Sequence, residues 1–166
     1  MEETENNEIT KKINCTMVRK LDDKSEKCYK MVIEEGPQNF YGIDCISDNG
    51  DTMGIINFYI DDKETFLHFL CTDPSYARLG VASALVETME YISANNGIKN
   101  IRGKFFPLNE FALPFYQKHG YFIPNQENSW GTYDETWTMH KTLDYEKVMQ
   151  NASSFTFEED NKEIEM

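Results

Sequence analysis

The chain has 166 residues, 40% of them hydrophobic and 13% aromatic, which fits one ordinary domain with a real core and excludes wholesale disorder. Its 16 basic and 29 acidic residues give a formal charge of −13, of which residues 1–8 and 158–166 each hold −4. The acidic body lacks the clustered Lys and Arg that phosphate backbones and anionic lipid demand, so neither nucleic acid nor a membrane surface is an expected partner.

Residues 1–10 read as an acidic tail, the opposite of a secretory signal. From there to position 72, turn signals recur at short intervals: Asp22-Asp23-Lys24-Ser25, Gly36-Pro37, Asp48-Asn49-Gly50-Asp51 and Asp61-Asp62-Lys63. The β-branched and aromatic stretches between them predict strands over roughly 13–20, 28–34, 40–46, 52–60 and 65–72, in an antiparallel meander. Residues 66–71, Phe-Leu-His-Phe-Leu-Cys, are apolar at both alternating positions, as expected of a central strand covered on each side. The acids Asp48, Asp51, Asp61, Asp62 and Glu64 fall at turns and read as solvated loop residues. Cys15, Cys28, Cys45 and Cys71 stand singly in apolar segments without CxxC spacing, which reads as reduced, core-filling thiols in a cytoplasmic protein. No apolar run approaches the roughly 18–20 residues that span a bilayer.

The period then changes. Apolar residues at 81, 82, 85, 86, 89 and 92 form a helical stripe, with Gly97 as its stop. A strand is predicted around 100–106, and a helix near 109–119 with Asn109 as N-cap and Gly120 as its end. Further strands are predicted at 121–124 and 136–142, and 144–166 reads as a short helix or loose tail. The expected organisation is one mixed α/β domain over 11–148, with a polar, acidic tail over 149–166.

Residues 70–83 carry the first chemical signal: Leu-Cys-Thr-Asp-Pro-Ser-Tyr-Ala-Arg-Leu-Gly-Val-Ala-Ser. A strand ends, a proline turn follows, and a helix opens with small residues. Successive N–H groups at a helix N-terminus cradle an anion, and Gly80 and Ala82 would admit a phosphate to the backbone. Taken alone, the segment fits a structural strand-to-helix turn equally well. It is neither a dinucleotide fingerprint nor a P-loop.

Residues 107–123, Pro-Leu-Asn-Glu-Phe-Ala-Leu-Pro-Phe-Tyr-Gln-Lys-His-Gly-Tyr-Phe-Ile, break that tie. With Asn109, Ala112, Phe115-Tyr116, Gly120 and Tyr121 in place, the chain resembles the GNAT superfamily of acyl-CoA N-acyltransferases. Upstream, Asp73-Pro74-Ser75-Tyr76 and Gly80-Val81-Ala82 match that family's pyrophosphate loop at the expected distance. The resemblance spans about 51–143. It implies an α+β fold: a mostly antiparallel central sheet with flanking helices, its strands splayed at an acyl-CoA cleft. Two features depart from the family pattern. Ala77 stands where Gln or Arg usually opens the loop, with Arg78 one place later. Residues 21–47 read as strands and turns where the family commonly has helices that wall the acceptor site.

The resemblance implies an N-acetyltransferase that moves an acetyl group from acetyl-CoA to a primary amine, either a small molecule or a peptide. It also implies roles. The backbone of Leu70, Cys71 and Thr72 would pair with the pantetheine arm, one N–H acting on the thioester oxygen. Residues Arg78, Leu79, Gly80, Val81, Ala82 and Ser83 would hold the pyrophosphate, with the Ser83 hydroxyl as an extra donor, and Asn109 would contact the cofactor arm. Tyr116 would protonate the departing thiolate, or else be a packed helix aromatic. His68 could take the ammonium proton where relatives often carry an acid, or else be a hydrogen-bonded core histidine. His119, read as a solvent-facing helix end, and His140 receive no chemistry. No metal is expected, because His68 and Cys71 lie three apart on a strand and so point to opposite faces. Dimers are frequent in the family, which makes a homodimer a possible state. The alternative reading is a catalytically weak or inactive member that binds acyl-CoA or a protein partner.

Overall fold

Alternation along the first seventy residues builds five antiparallel strands: β1 (Lys11–Lys20), β2 (Glu26–Glu35), β3 (Phe40–Ile46), β4 (Thr52–Ile60) and β5 (Glu64–Thr72). The computed structural model describes residues 11–105, 111–124, 137–150 and 154–159. Two of the predicted turns are closed by their own aspartates. Asp22 Oδ1 accepts from the N–H groups of Lys24 and Ser25 at 2.8 and 2.9 Å, and Asp61 Oδ1 from those of Lys63 and Glu64 at 2.7 and 2.8 Å.

After β5 the chain forms α1 (Val81–Asn95), β6 (Asn100–Phe105), α2 (Ala112–Lys118), β7 (Trp137–Thr142), α3 (Tyr145–Met149) and β8 (Phe155–Glu159). The strands form one sheet in the order β7-β6-β5-β4-β3-β2-β1-β8, antiparallel except where β5 meets β6. This is the mixed, mostly antiparallel architecture that the sequence resemblance implies.

The core lies between the sheet and α1. Tyr29, Met31, Ile43, Ile56 and Phe58 meet Leu85 and Met89, all essentially inaccessible. Gly54 lets the helix approach closely, since a Cβ there would lie 2.7 Å from Val81 Cγ1. Ser93 on α1 and Thr65 on β5 share a buried 2.7 Å hydrogen bond. Strand register places Arg19, Thr65, Phe105, Trp137 and Lys141 on this same face.

Several expectations are corrected. No described element covers the opposite face of β5, where Phe69 is 47% exposed, so β5 is central in the sheet but not covered on both sides. Cys15 and Cys45 are buried as expected, while Cys28 and Cys71 are exposed. The predicted strand at 121–124 is a single bridge between Phe122 and His140. The segment read as a tail from 149 contains β8, which pairs with β1 from Met17↔Phe155 to Ile13↔Glu159. Phe155 and Phe157 stack on Tyr91 of α1, at ring separations of 4.4 and 5.8 Å. That stacking supplies apolar contact which a largely polar segment does not advertise.

Candidate active site

The parallel pairing of β5 with β6 runs only from Glu64↔Asn100 to Leu67↔Gly103. Beyond it β5 continues to Thr72 along β4, and β6 continues to Phe105 along β7, so the two strands part. Leu70, Cys71 and Thr72 border this gap with no β6 partner. The split begins at an irregularity in β5. Phe58 pairs with Leu67 and Asn57 with Phe69, which makes His68 an extra residue in the ladder. His68 and Phe69 are both exposed. This bulge breaks strict alternation, so the opposite-face argument used to separate His68 from Cys71 does not hold. Among the described residues, no group of three or more His, Cys, Asp or Glu could hold a metal ion.

The loop from β5 to α1 is firmly held. The Asp73 carboxylate accepts from Ser75 N at 2.8 Å, capping a 3-10 turn over Pro74–Tyr76, and the Tyr76 hydroxyl donates to Asp51 at 3.2 Å. Arg78 and Gly80 both adopt left-handed backbone, with φ of 65° and 82°. Non-glycine residues rarely occupy that region, so Arg78 holds strain that its surroundings must offset. Part of the offset comes from β2. The Tyr29 hydroxyl donates to the Leu79 carbonyl at 2.6 Å, and the Lys27 ammonium donates to the same oxygen at 3.2 Å.

No side chain caps Gly80 at the start of α1, and the first helical bond is Ala84 N–H to the Gly80 carbonyl at 2.9 Å. The N–H groups of Val81, Ala82 and Ser83 therefore precede the intrahelical ladder, at the positive end of a 15-residue helix. Arg78 and Leu79 are exposed beside them.

Across the gap, Tyr116 packs against Phe105, the last residue of β6, at 5.4 Å between rings. Phe115 and Tyr121 complete its surround at 5.2 and 5.7 Å. The Tyr116 side chain is 6% exposed, and burial pushes its phenol up to about 12. Tyr116 lies on the helix side of the sheet, whereas the exposed pair His68–Phe69 stands opposite Asn57 on the other side. Asn109 falls outside the described residues; α2 begins at Ala112, and Phe111 provides no side-chain cap.

His119 is not a solvent-facing helix end. Its Nε2 lies 2.9 Å from Ser83 Oγ, and its ring packs on Phe115 at 4.7 Å. Burial, reinforced by the charges of Lys141, Arg19 and Lys118, holds its imidazole down to about 4. The Ser83 hydroxyl is thus already partnered. His119 also borders a cavity of about 740 Å³ lined from β1, α1, β7 and α3, next to the Arg19–Glu87 and Lys141–Glu90 ion pairs. None of residues 68–72 or 78–83 lines that cavity.

The profile of the Acetyltransferase (GNAT) family matches residues 8–121. The chain belongs to the GNAT acetyltransferase family. A relative from Bacillus subtilis (strain 168), described as an uncharacterized N-acetyltransferase, YdgE, is 28% identical over 109 residues, 62% of this chain and 69% of its own. Among solved GNAT-like folds, the PaiA N-acetyltransferase of Thermoplasma acidophilum, crystallised with coenzyme A, shares 21% identity at a TM-score of 0.55. That match takes in 63% of this chain and 62% of the other, less than two thirds of its length. A putative streptothricin acetyltransferase from Bacillus anthracis str. Ames, in complex with acetyl coenzyme A, is 15% identical at a TM-score of 0.56 over 86% of this chain and 92% of that one.

Within this GNAT chain, sequence reasoning missed three residues at the site: Tyr29, Lys27 and His119. Tyr29 alternates as an ordinary core residue of β2, and nothing local ties it to a carbonyl 50 positions away. His119 has a fainter signal, since it directly precedes the helix-ending Gly120 and so lies where α2 closes on its neighbours.

Proposed function

We propose that this chain transfers an acetyl group from acetyl-CoA to a primary amine. The observation that carries the reading is the gap between β5 and β6, with an uncapped helix N-terminus at one wall and a buried phenol at the other. The main-chain N–H groups of residues 78–83 hold the diphosphate, which the dipole of α1 favours. The unpaired edge of Leu70–Thr72 binds the pantetheine arm, and one of its N–H groups polarises the thioester carbonyl.

The amine attacks that carbonyl carbon, a C–N bond forms, and the C–S bond then breaks. His68 accepts the proton released from the ammonium nitrogen, directly or through water, and passes it to solvent. Tyr116 donates its proton to the leaving sulfur and recovers one from solvent. A phenol at about 12 is fully protonated at neutral pH, so it is available as an acid and responds only as charge develops on sulfur. His68 and Tyr116 stand on opposite sides of the sheet, which suits attack from one side and departure on the other.

The test is incubation with acetyl-CoA and a panel of polyamines, free lysine and peptides with free N-termini. The expected result is an acetylated product by mass together with release of free thiol. CoA binding with no turnover on any amine would instead support the acyl-CoA-binding alternative.

A further inference from the structure

Ser83 and His119 join the two helices that carry the proposed site. Ser83 lies in the first turn of α1, 8% exposed, and His119 ends α2 three residues beyond Tyr116. Their 2.9 Å contact pairs two groups that can each donate or accept. If Ser83 donates to the ring, its hydrogen is spent and only its oxygen faces the helix terminus. If the ring donates, the hydroxyl hydrogen is free to point outward with the N–H groups of Val81 and Ala82.

We infer that His119 is a positioning residue: its neutral ring donates Nε2–H to Ser83 Oγ, and so directs the Ser83 hydroxyl hydrogen at the diphosphate held over α1. The inference rests on the functional reading above. It goes beyond it by giving a role to a histidine to which the sequence reading assigns no chemistry. A donor chain from imidazole to hydroxyl to anion strengthens each of its members. The ring stays neutral first because it is buried, and next because it faces Lys141 of β7, Arg19 of β1 and Lys118 of its own helix, with Glu87 and Glu90 of α1 also bordering the cavity. A neutral ring leaves Nε2–H as its one ring donor in the tautomer proposed, and no second positive charge is placed there.

Calorimetry with free CoA tests the inference, using pantetheine, which carries no phosphate, as control. His119→Ala should weaken CoA binding about tenfold, the scale of one hydrogen bond to a charged group. It should leave pantetheine unaffected. His119→Gln, whose amide N–H reaches a similar point, should restore CoA binding to within about threefold of the parent. In a Ser83→Ala background the histidine change should have no further effect, because the hydroxyl it orients is gone. Steady-state kinetics should show the loss in KM for acetyl-CoA while kcat holds. Parent-like CoA binding by His119→Ala, an undiminished loss in the Ser83→Ala background, or equal weakening of the control would each overturn the inference. Ser83→Ala and His119→Gln keep the comparison decisive even where His119→Ala folds poorly. An unmutated chain that does not bind CoA at all would remove the functional reading itself, an outcome distinct from loss of the Ser83–His119 coupling.

Discussion

The Tyr29 hydroxyl and the Leu79 carbonyl, fifty positions apart, meet at 2.6 Å, so a core strand sets the position of the loop before α1. Tyr29→Phe keeps the ring in the core and deletes this contact together with the hydroxyl's hydrogen bond with Arg19. Lys27 still reaches the carbonyl at 3.2 Å, so the stability loss should fall at the low end of about 0.5–1.5 kcal/mol. The larger effect should be a raised KM for acetyl-CoA with kcat little changed, read from denaturant titration alongside kinetics.

Gly80→Ala should be far more damaging. The residue has φ of 82°, and an added Cβ would lie 2.5 Å from the Tyr29 hydroxyl. Left-handed backbone alone costs about 1–2 kcal/mol outside glycine, and the clash displaces the tyrosine besides. The expected outcome is a lowered melting temperature and loss of measurable CoA binding in calorimetry. A variant with parent-like affinity would show that the close approach is not needed.

Tyr116→Phe should fold as well as the parent, because the ring contacts with Phe105, Phe115 and Tyr121 persist. Loss of a general acid should lower kcat by about 10²–10⁴-fold while CoA affinity survives. Parent-level turnover would remove the phenol from the mechanism. In the parent, the phenol stays protonated until about pH 12, so no alkaline loss of rate below that pH should trace to it.

Stability should fall on acidification, in part through His119. Its folded value of about 4 lies below the ordinary 6.5, so between those two pH values the unfolded chain binds a proton that the folded chain refuses. Unfolding is therefore favoured as pH drops from about 6.5 towards 4, and this contribution is absent above that window. Glu90 works the other way, because burial raises its carboxyl against the pull of Lys141. Urea melts at pH 7 and pH 4.5 should differ less in His119→Gln than in the parent. An unchanged difference would show that the ring is protonated in the folded protein.

Glu90 is 6% exposed, accepts from Lys141 at 3.0 and 3.1 Å, and takes a 2.9 Å hydrogen bond from the Tyr121 hydroxyl. Replacing it with Leu strands both donors and should cost about 3–5 kcal/mol. Adding Lys141→Met should recover part of that loss, so that the double variant is more stable than Glu90→Leu alone. Equal stability of the two would mean that Lys141 reaches water unaided.

Legibility in the sequence followed locality. The five strands of the meander were readable because Asp22 and Asp61 mark their turns and apolar positions alternate between them. The α1 stripe and its Gly97 end were readable from a period of 3.6. The strand β8 was not, because Phe155 and Phe157 are isolated apolar residues in an acidic stretch, and their partners on β1 and α1 lie far away in sequence. The site divided the same way. The loop at 73–83 and the Phe115–Tyr116 pair lie in contiguous motifs. The contacts Tyr29–Leu79 and Ser83–His119 exist only once the sheet and helices have packed. The extra residue at His68 left no trace, because 66–71 is apolar at nearly every position and gives no pattern whose interruption could be noticed.

That extra residue acts as a phase shifter. Before it, Thr65 and Leu67 face the helix; after it, Leu70 and Thr72 do, through their partners Ile56 and Gly54. Deleting His68 would restore strict alternation and leave every other side chain of the strand on its present side, with Leu70 and Thr72 still against Ile56 and Gly54. What it would remove is the irregularity that directly follows the last β5–β6 pair, Leu67↔Gly103, where the two strands part. For this segment, length is as much a part of the information as composition, and a library that varies letters alone would never test what the added residue does for the gap.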